Sequence, residues 1–156
     1  MRRFNVHTGA LGAEEADPPG YKGSFARFGP QIGMEKLGAT VYELPPGQSI
    51  CPYHWEAGDE ELLLVLNGRV AVRTPEGEEE LEPGEMVCFP AGPAGAHKIT
   101  NRSGEAIRLV MFSTMIEPAI TIYPDSEKLG AFDKASGTRM LFRIGEEVDY
   151  YEGELT

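Results

Sequence analysis

The sequence predicts an all-β chain folded as one barrel or sandwich. Three observations point there. Glycine (19) and proline (12) are spread along all 156 residues. Turn signals recur roughly every 8–12 residues between short apolar runs. No segment sustains a helical period.

Residues 1–36 are the least patterned, and read as an N-terminal arm with the first strands; Glu14 to Gly20 has the composition of a solvated loop. The barrel core spans 37–113. Ala39 to Leu44 is a β-prone run closed by Pro45-Pro46-Gly47, and Ser49 to Glu56 leads to an acidic corner at Asp59-Glu60-Glu61. Leu62 to Leu66 and Val70 to Val72 flank Asn67-Gly68, a pair suited to a tight hairpin because both central turn positions need positive φ. Pro75-Glu76-Gly77 and Pro83-Gly84 then bound strands at Glu78 to Glu82 and Glu85 to Pro90. His97 to Asn101 and Ala106 to Phe112 are two more, separated by Arg102 to Glu105. Residues 114–156 form a C-terminal extension with strands at Ala119 to Tyr123 and Arg139 to Ile144, and a helical turn at Glu127 to Phe132.

Composition narrows the function. Against 25 Asp+Glu stand 14 Lys+Arg, a formal net charge of −11, which argues against nucleic acid and anionic membrane as partners. The longest apolar run, Leu62 to Leu66, is too short to span a bilayer. Polar residues and glycine come after Met1-Arg2-Arg3 where an export signal needs an apolar stretch, so a soluble, cytoplasmic protein is expected. Cys51 and Cys88 lie in predicted strands and read as small buried hydrophobes, with a bridge between them left open.

Two of the three histidines stand in suggestive places. His54 and Glu56 are one residue apart and share a strand face, Glu61 heads the next strand, and His97 opens another. Two imidazoles and two carboxylates converging in a barrel would suit a divalent first-row metal. Spacing alone leaves the matter open. His97 also fits a hydrogen-bonded strand residue, His54 an exposed one beside Pro52, and Glu61, Asp59 and Glu60 ordinary solvated carboxylates. Tyr53 and Trp55 point opposite to His54, toward the barrel exterior; Asn101 reads as a turn former, and His7 has no role.

The turns add specificity. Gly47, five residues, Tyr53-His54-Trp55-Glu56, four residues, Glu61, six residues and Gly68 resemble the first motif of the cupin superfamily. Gly84, five residues, Pro90-Ala91-Gly92, then His97, three residues and Asn101 resemble the second. The resemblance covers about residues 37–113. It implies a cupin-type β-barrel or jelly roll, here with extra N- and C-terminal strands, and a metal near its mouth held by His54, Glu56, Glu61 and His97. Two departures stand out. Glu56 occupies the place of the motif's second histidine, and Pro93-Ala94-Gly95-Ala96 lengthens the loop before His97. The Glu56 change reads either as a His2Glu2 set whose charges balance a divalent cation or as the mark of a lost site.

The implied cofactor is a single divalent ion, with Fe, Mn, Ni and Zn undistinguished, and the implied partner is a small-molecule ligand. The expected function is a metal-dependent oxygenase or isomerase with Glu56 as fourth ligand or general base; the alternative is a binding module without turnover. Leu63, Val65, Val87, Phe89 and Ile99 would exclude water around the metal. No arginine is read as pointing inward, because Val70 and Val72 claim the core face of the strand holding Arg69 and Arg73. That speaks against an acidic or phosphorylated substrate. Exposed sheet edges predict a homodimer.

Overall fold

The computed structural model describes residues 1–13 and 16–154. Among the described residues thirteen strands occur in chain order: β1 (Gly12–Ala13), β2 (Ser24–Arg27), β3 (Gly38–Leu44), β4 (Trp55–Glu56), β5 (Glu61–Asn67), β6 (Val70–Thr74), β7 (Gly77–Leu81), β8 (Met86–Phe89), β9 (Lys98–Thr100), β10 (Ile107–Ser113), β11 (Ala119–Tyr123), β12 (Lys128–Asp133) and β13 (Thr138–Arg143). One helical turn, α1 (Gly29–Ile32), and two 3-10 turns, Pro93–Gly95 and Pro124–Ser126, complete the elements. All pairings are antiparallel, in sheets ordered β1-β2-β3-β10-β5-β8, β13-β12-β11-β4 and β7-β6-β9. The predicted all-β class is borne out.

Two apolar clusters explain why the central strands are apolar on both faces. Leu63 and Val65 of β5 join Val70, Val72, Phe89, Ile99, Ile107 and Leu109 in the barrel interior. Leu64 and Leu66, which face the other way, pack with Val41, Val110 and Phe112 on the outside of the six-stranded sheet. A strand buried on both faces cannot alternate apolar with polar, hence the continuous run from Leu62 to Leu66.

The outer cluster is roofed by the N-terminal arm. Phe4 stacks on Phe28 at 5.1 Å between ring centroids, and Val6, Leu11, Ile32 and Met34 pack around them. The arm therefore folds back on its own sheet. Of the predicted solvated loop, Glu14 and Glu15 lie outside the described residues, and Ala16 to Gly20 form turns and irregular backbone.

Three local expectations are corrected. Asn67-Gly68 does not close a hairpin: β5 pairs with β8 and β10, while β6 pairs with β7 and β9. The dipeptide carries the chain from one sheet to another, and only Gly68 has positive φ (77°). A Cβ there would lie 2.6 Å from the Ile107 side chain, so glycine serves close approach as well as backbone geometry. Glu127 to Phe132 is not helical; Lys128–Asp133 is a strand between β11 and β13, and the only turn of helix there is the preceding Pro124–Ser126. The cysteines are both free, and Cys88 is exposed.

Candidate metal centre

The core of the site is built by backbone pairing between distant segments. His54 and His97 form an isolated antiparallel bridge, and their rings lie 4.8 Å apart. Glu61 opens β5 beside Phe89 of β8, and the Phe89 ring stacks on His97 at 3.7 Å. His97 is 1% exposed and His54 7%, so both imidazoles are buried.

Each imidazole is oriented from behind. His54 Nδ1 lies 3.0 Å from the Pro52 carbonyl oxygen, and His97 Nδ1 lies 2.9 Å from that of Gly95. A carbonyl only accepts, so each Nδ1 donates, and in a neutral ring Nε2 is left with a lone pair. Both Nε2 atoms lie 3.6 Å from one oxygen of Glu61, too far for a good hydrogen bond. Ligand atoms of His54, Glu61 and His97 all fall within 4.8 Å of one another. Three electron-pair donors thus converge with no donor between them. That set fits a cation, and backbone carbonyls behind metal-binding imidazoles are the usual support for one.

Without a metal, a proton answers the same field. Burial opposes charge on His54, but the adjacent Cys51 sulfur and the Glu61 carboxylate outweigh it and push the pKa up to about 11. Burial, reinforced by charge on His54, pushes His97 down to about 4.

Glu56 stands beside the triad. Its Oε1 is 3.8 Å from His54 Nε2, and both its oxygens lie 2.9 Å from the Thr121 hydroxyl. Burial raises its pKa, against the opposing effect of that hydrogen bond. Thr121 comes from β11, which pairs directly with β4, so the C-terminal extension supplies the support for Glu56.

Several residues near the site lie outside the motifs. Tyr123 stacks against His54 at 6.0 Å, and Cys51 Sγ is 3.5 Å from His54 Nδ1. Tyr42, on the interior face of β3, has its phenol pushed up to about 12, chiefly by burial. Asp59 is not simply solvated. It is buried and accepts hydrogen bonds from Thr114 Oγ1 (2.9 Å) and the Ile116 N–H (2.6 Å), pinning the start of the extension, while Glu60 is exposed as expected.

Asn101 is a turn former and more. Fully buried, its Nδ2 donates to the carbonyls of Leu44 and Glu105 at 2.8 and 2.7 Å. Its Oδ1 accepts from Ser103 N–H and Oγ at 2.9 and 2.7 Å. Tyr53 is buried beneath the Arg73 guanidinium, 3.9 Å from its ring centroid, away from the triad. Arg73 itself is forked onto Asp125, and Arg69 pairs with Glu80 and Glu82, so neither enters the barrel. His7 is exposed in the arm.

Above the triad lies a cavity of about 450 Å³ lined by Glu56, Glu61, Thr121, Tyr123 and Arg27 among others. Arg27 also lines an adjoining cavity of about 460 Å³, with Tyr42, Phe25 and Arg139. The expectation that no arginine is directed inward is amended for Arg27, which lies on the interior-facing side of β2 and is exposed at the mouth. Ala26 packs in the outer cluster, so alternation along β2 turns Phe25 and Arg27 to the interior. The signal was hidden because β2 lies in the unpatterned first segment.

No helix among the described residues is long and apolar enough to cross a membrane.

Comparison with known proteins agrees with this architecture. No curated protein matches the chain. Residues 40–113 match the family model described as Cupin domain. A sugar phosphate isomerase from a cupin superfamily, of Silicibacter pomeroyi, superposes with a TM-score of 0.80 at 21% identity, covering 95% of this chain and 97% of that one. The polyketide cyclase RemF of Streptomyces resistomycificus gives 0.60 at 25% identity over 76% of this chain and 83% of its own. A Cupin 2 conserved barrel domain protein of Salinispora arenicola gives 0.56 at 16% identity, covering 72% and 87%. The barrel that gathers His54, Glu61 and His97 has the cupin fold, and residues 40–113, which hold all three, match the Cupin domain model.

Proposed function

We propose that this chain is a metal-dependent enzyme of the isomerase type acting on a small organic molecule, with one divalent ion held by His54, Glu61 and His97. The convergence of two lone-pair Nε2 atoms on one Glu61 oxygen carries this reading, since only a cation or a proton satisfies all three. The ion would supply Lewis acidity toward a substrate carbonyl or hydroxyl.

The protein's own groups then have distinct tasks. Glu56 is the proton-transfer group, because burial favours its protonated form and Thr121 fixes its carboxyl beside the triad. It remains available as a fourth ligand. Phe89 and Ile99 keep water from the back of the imidazoles. The sugar phosphate isomerase with the same fold is consistent with this class, although that likeness bears on fold alone.

A specific observation favours a second reading. Two histidines and one carboxylate are also the donor set of non-haem Fe(II) oxygenases. Elemental analysis of protein purified without an affinity tag separates them: Mn or Zn supports the isomerase, Fe the oxygenase. One ion per chain in wild type, lost in Glu61→Gln, is expected. Equal metal content in wild type, Glu61→Gln and His97→Ala would overturn the assigned site.

A further inference from the structure

The mouth of the barrel carries two exposed guanidinium groups that form no ion pair within 4 Å among the described residues. Carboxylates outnumber Lys+Arg by 25 to 14, and Arg69, Arg73, Arg102, Arg108 and Arg143 each have a carboxylate within 4 Å. Among the described residues, Arg27 and Arg139 have none, although both line the 460 Å³ cavity. Lys134, on the same rim as Glu56, is paired with Glu117 at 2.5 Å.

Sheet register shows why Arg27 bears on the site. Arg27 pairs with Thr40, Thr40 with Met111, and Met111 with Leu63. Directly paired residues share a face, and Glu61 is two residues from Leu63 on the same strand. Arg27 and Glu61 therefore face the same interior from strands separated by β3 and β10. Curvature brings their side chains around a common space, the 450 Å³ cavity that both line. Arg27 thus borders both cavities, with Glu56, Asp59 and Glu61 on one side and, on the other, Arg139 together with a single carboxylate, Asp17.

We propose that this joined space takes a small organic anion, its carboxylate or phosphate held by Arg27 and Arg139 and its other end turned toward His54, Glu61 and His97. The second half of that statement rests on the metal reading above, and the first half does not. The chemistry is complementary: planar guanidinium groups bind carboxylate or phosphate through paired N–H donors, and the carboxylates that line the metal end, Asp59 and Glu61 among them, repel an anion there unless a metal cation is present. The ligand would consequently enter in one orientation, with Tyr42 and Phe25 along its flank.

The test is calorimetric titration of metal-free protein with inorganic phosphate and with malonate at constant ionic strength. Saturable binding to wild type is expected, weakened at least tenfold in Arg27→Gln and Arg139→Gln, partly retained in Arg27→Lys, and unchanged in Arg69→Gln. Tighter phosphate would identify a phosphorylated ligand and tighter malonate a carboxylic acid; either sustains the proposal. No saturable binding to wild type, or equal binding in wild type, Arg27→Gln and Arg139→Gln, overturns it. Glu61→Gln separates the two readings, since it should lose Mn(II) binding and keep the anion. If it keeps both, the metal assignment fails while the anion site stands.

Discussion

His54 and His97 hold each other's backbone: the His54 N–H donates to the His97 carbonyl at 3.1 Å, and the His97 N–H to that of His54 at 2.8 Å. The spacing of the two imidazoles is therefore set by a β-bridge rather than by a pair of loops. Glu61 approaches both from a third segment. Metal binding should accordingly stabilise the whole barrel by mass action. Mn(II) or Zn(II) is expected to raise the melting temperature of wild type and leave His97→Ala and Glu61→Gln unmoved. An identical rise in all three would show that the metal binds elsewhere.

Glu56 should behave differently from Glu61. As a group beside the triad, its change to Gln is expected to weaken metal binding by about 10- to 100-fold, the range seen when supporting residues are altered. Glu61→Gln should abolish binding. Glu56→His should retain binding and shift preference toward Ni or Zn, because imidazole is the softer donor. Titrations of the three variants with Mn(II) and Zn(II) read this directly. Binding identical to wild type in both Glu56 variants would mean that this side chain neither ligates nor supports.

The metal-free protein should be most stable near pH 6.5. Between pH 6.5 and 4 an unfolded chain takes up a proton at His97 that the folded chain, with its pKa near 4, refuses, so stability falls as pH drops. His54 is protonated in both states over most of that window and adds little slope, while Glu56, its pKa raised by burial, keeps a proton the unfolded chain releases and offsets part of the His97 slope. Above pH 6.5 the signs reverse. Folded His54 keeps a proton until about pH 11 while the unfolded chain releases it, and stability declines as pH rises. Each uncompensated proton is worth ~1.4 kcal/mol per pH unit as an upper value. Denaturant titrations in chelator should show His97→Gln flattening the acid side, and His54→Gln the alkaline side. No change of slope in either variant would contradict the assignment.

Asn101→Ala should cost about 3 kcal/mol. It strips the buried carbonyls of Leu44 and Glu105 of a donor in the protein interior, where an unsatisfied group is penalised. Chemical denaturation measures it, and a loss below about 1 kcal/mol would mean that water replaces the amide.

Strand β13 should be covered by a second copy. It is a sheet edge, and Met140, Leu141 and Phe142 are 47%, 49% and 50% exposed, on both faces. An apolar edge of this kind invites pairing. Light scattering at micromolar concentration is expected to give a dimer, with Leu141→Lys shifting it to monomer. A monomeric wild type would refute this.

How much of this was legible in the sequence depends on how local each signal was. Val70 and Val72 alternate, Ala119–Tyr123 is bounded by prolines, and His97 comes after a glycine-rich loop; each carries its own evidence within a few residues. Asn67-Gly68 misled because turn chemistry tells where a chain bends and not which strands pair. Leu62–Leu66 concealed its two-sided burial for a similar reason, since only tertiary structure supplies the outer cluster. Thr121 reaches Glu56 across 65 positions, and Arg27 reaches the mouth through two intervening strands. No pattern within either segment announces those contacts.

The loop Pro93-Ala94-Gly95-Ala96 has a consequence for anyone wishing to redesign this centre. Gly95 supplies the carbonyl that holds His97 Nδ1, and a methyl group at position 95 would run into the Pro90 carbonyl oxygen. The tautomer of His97 is thus dictated by an atom that has no side chain to mutate. A designer could exchange His54 and Glu61 and still inherit the same proton placement on His97. Re-aiming that ring would require transplanting a loop, so the insertion acts as a template that travels with the histidine as one inherited cassette.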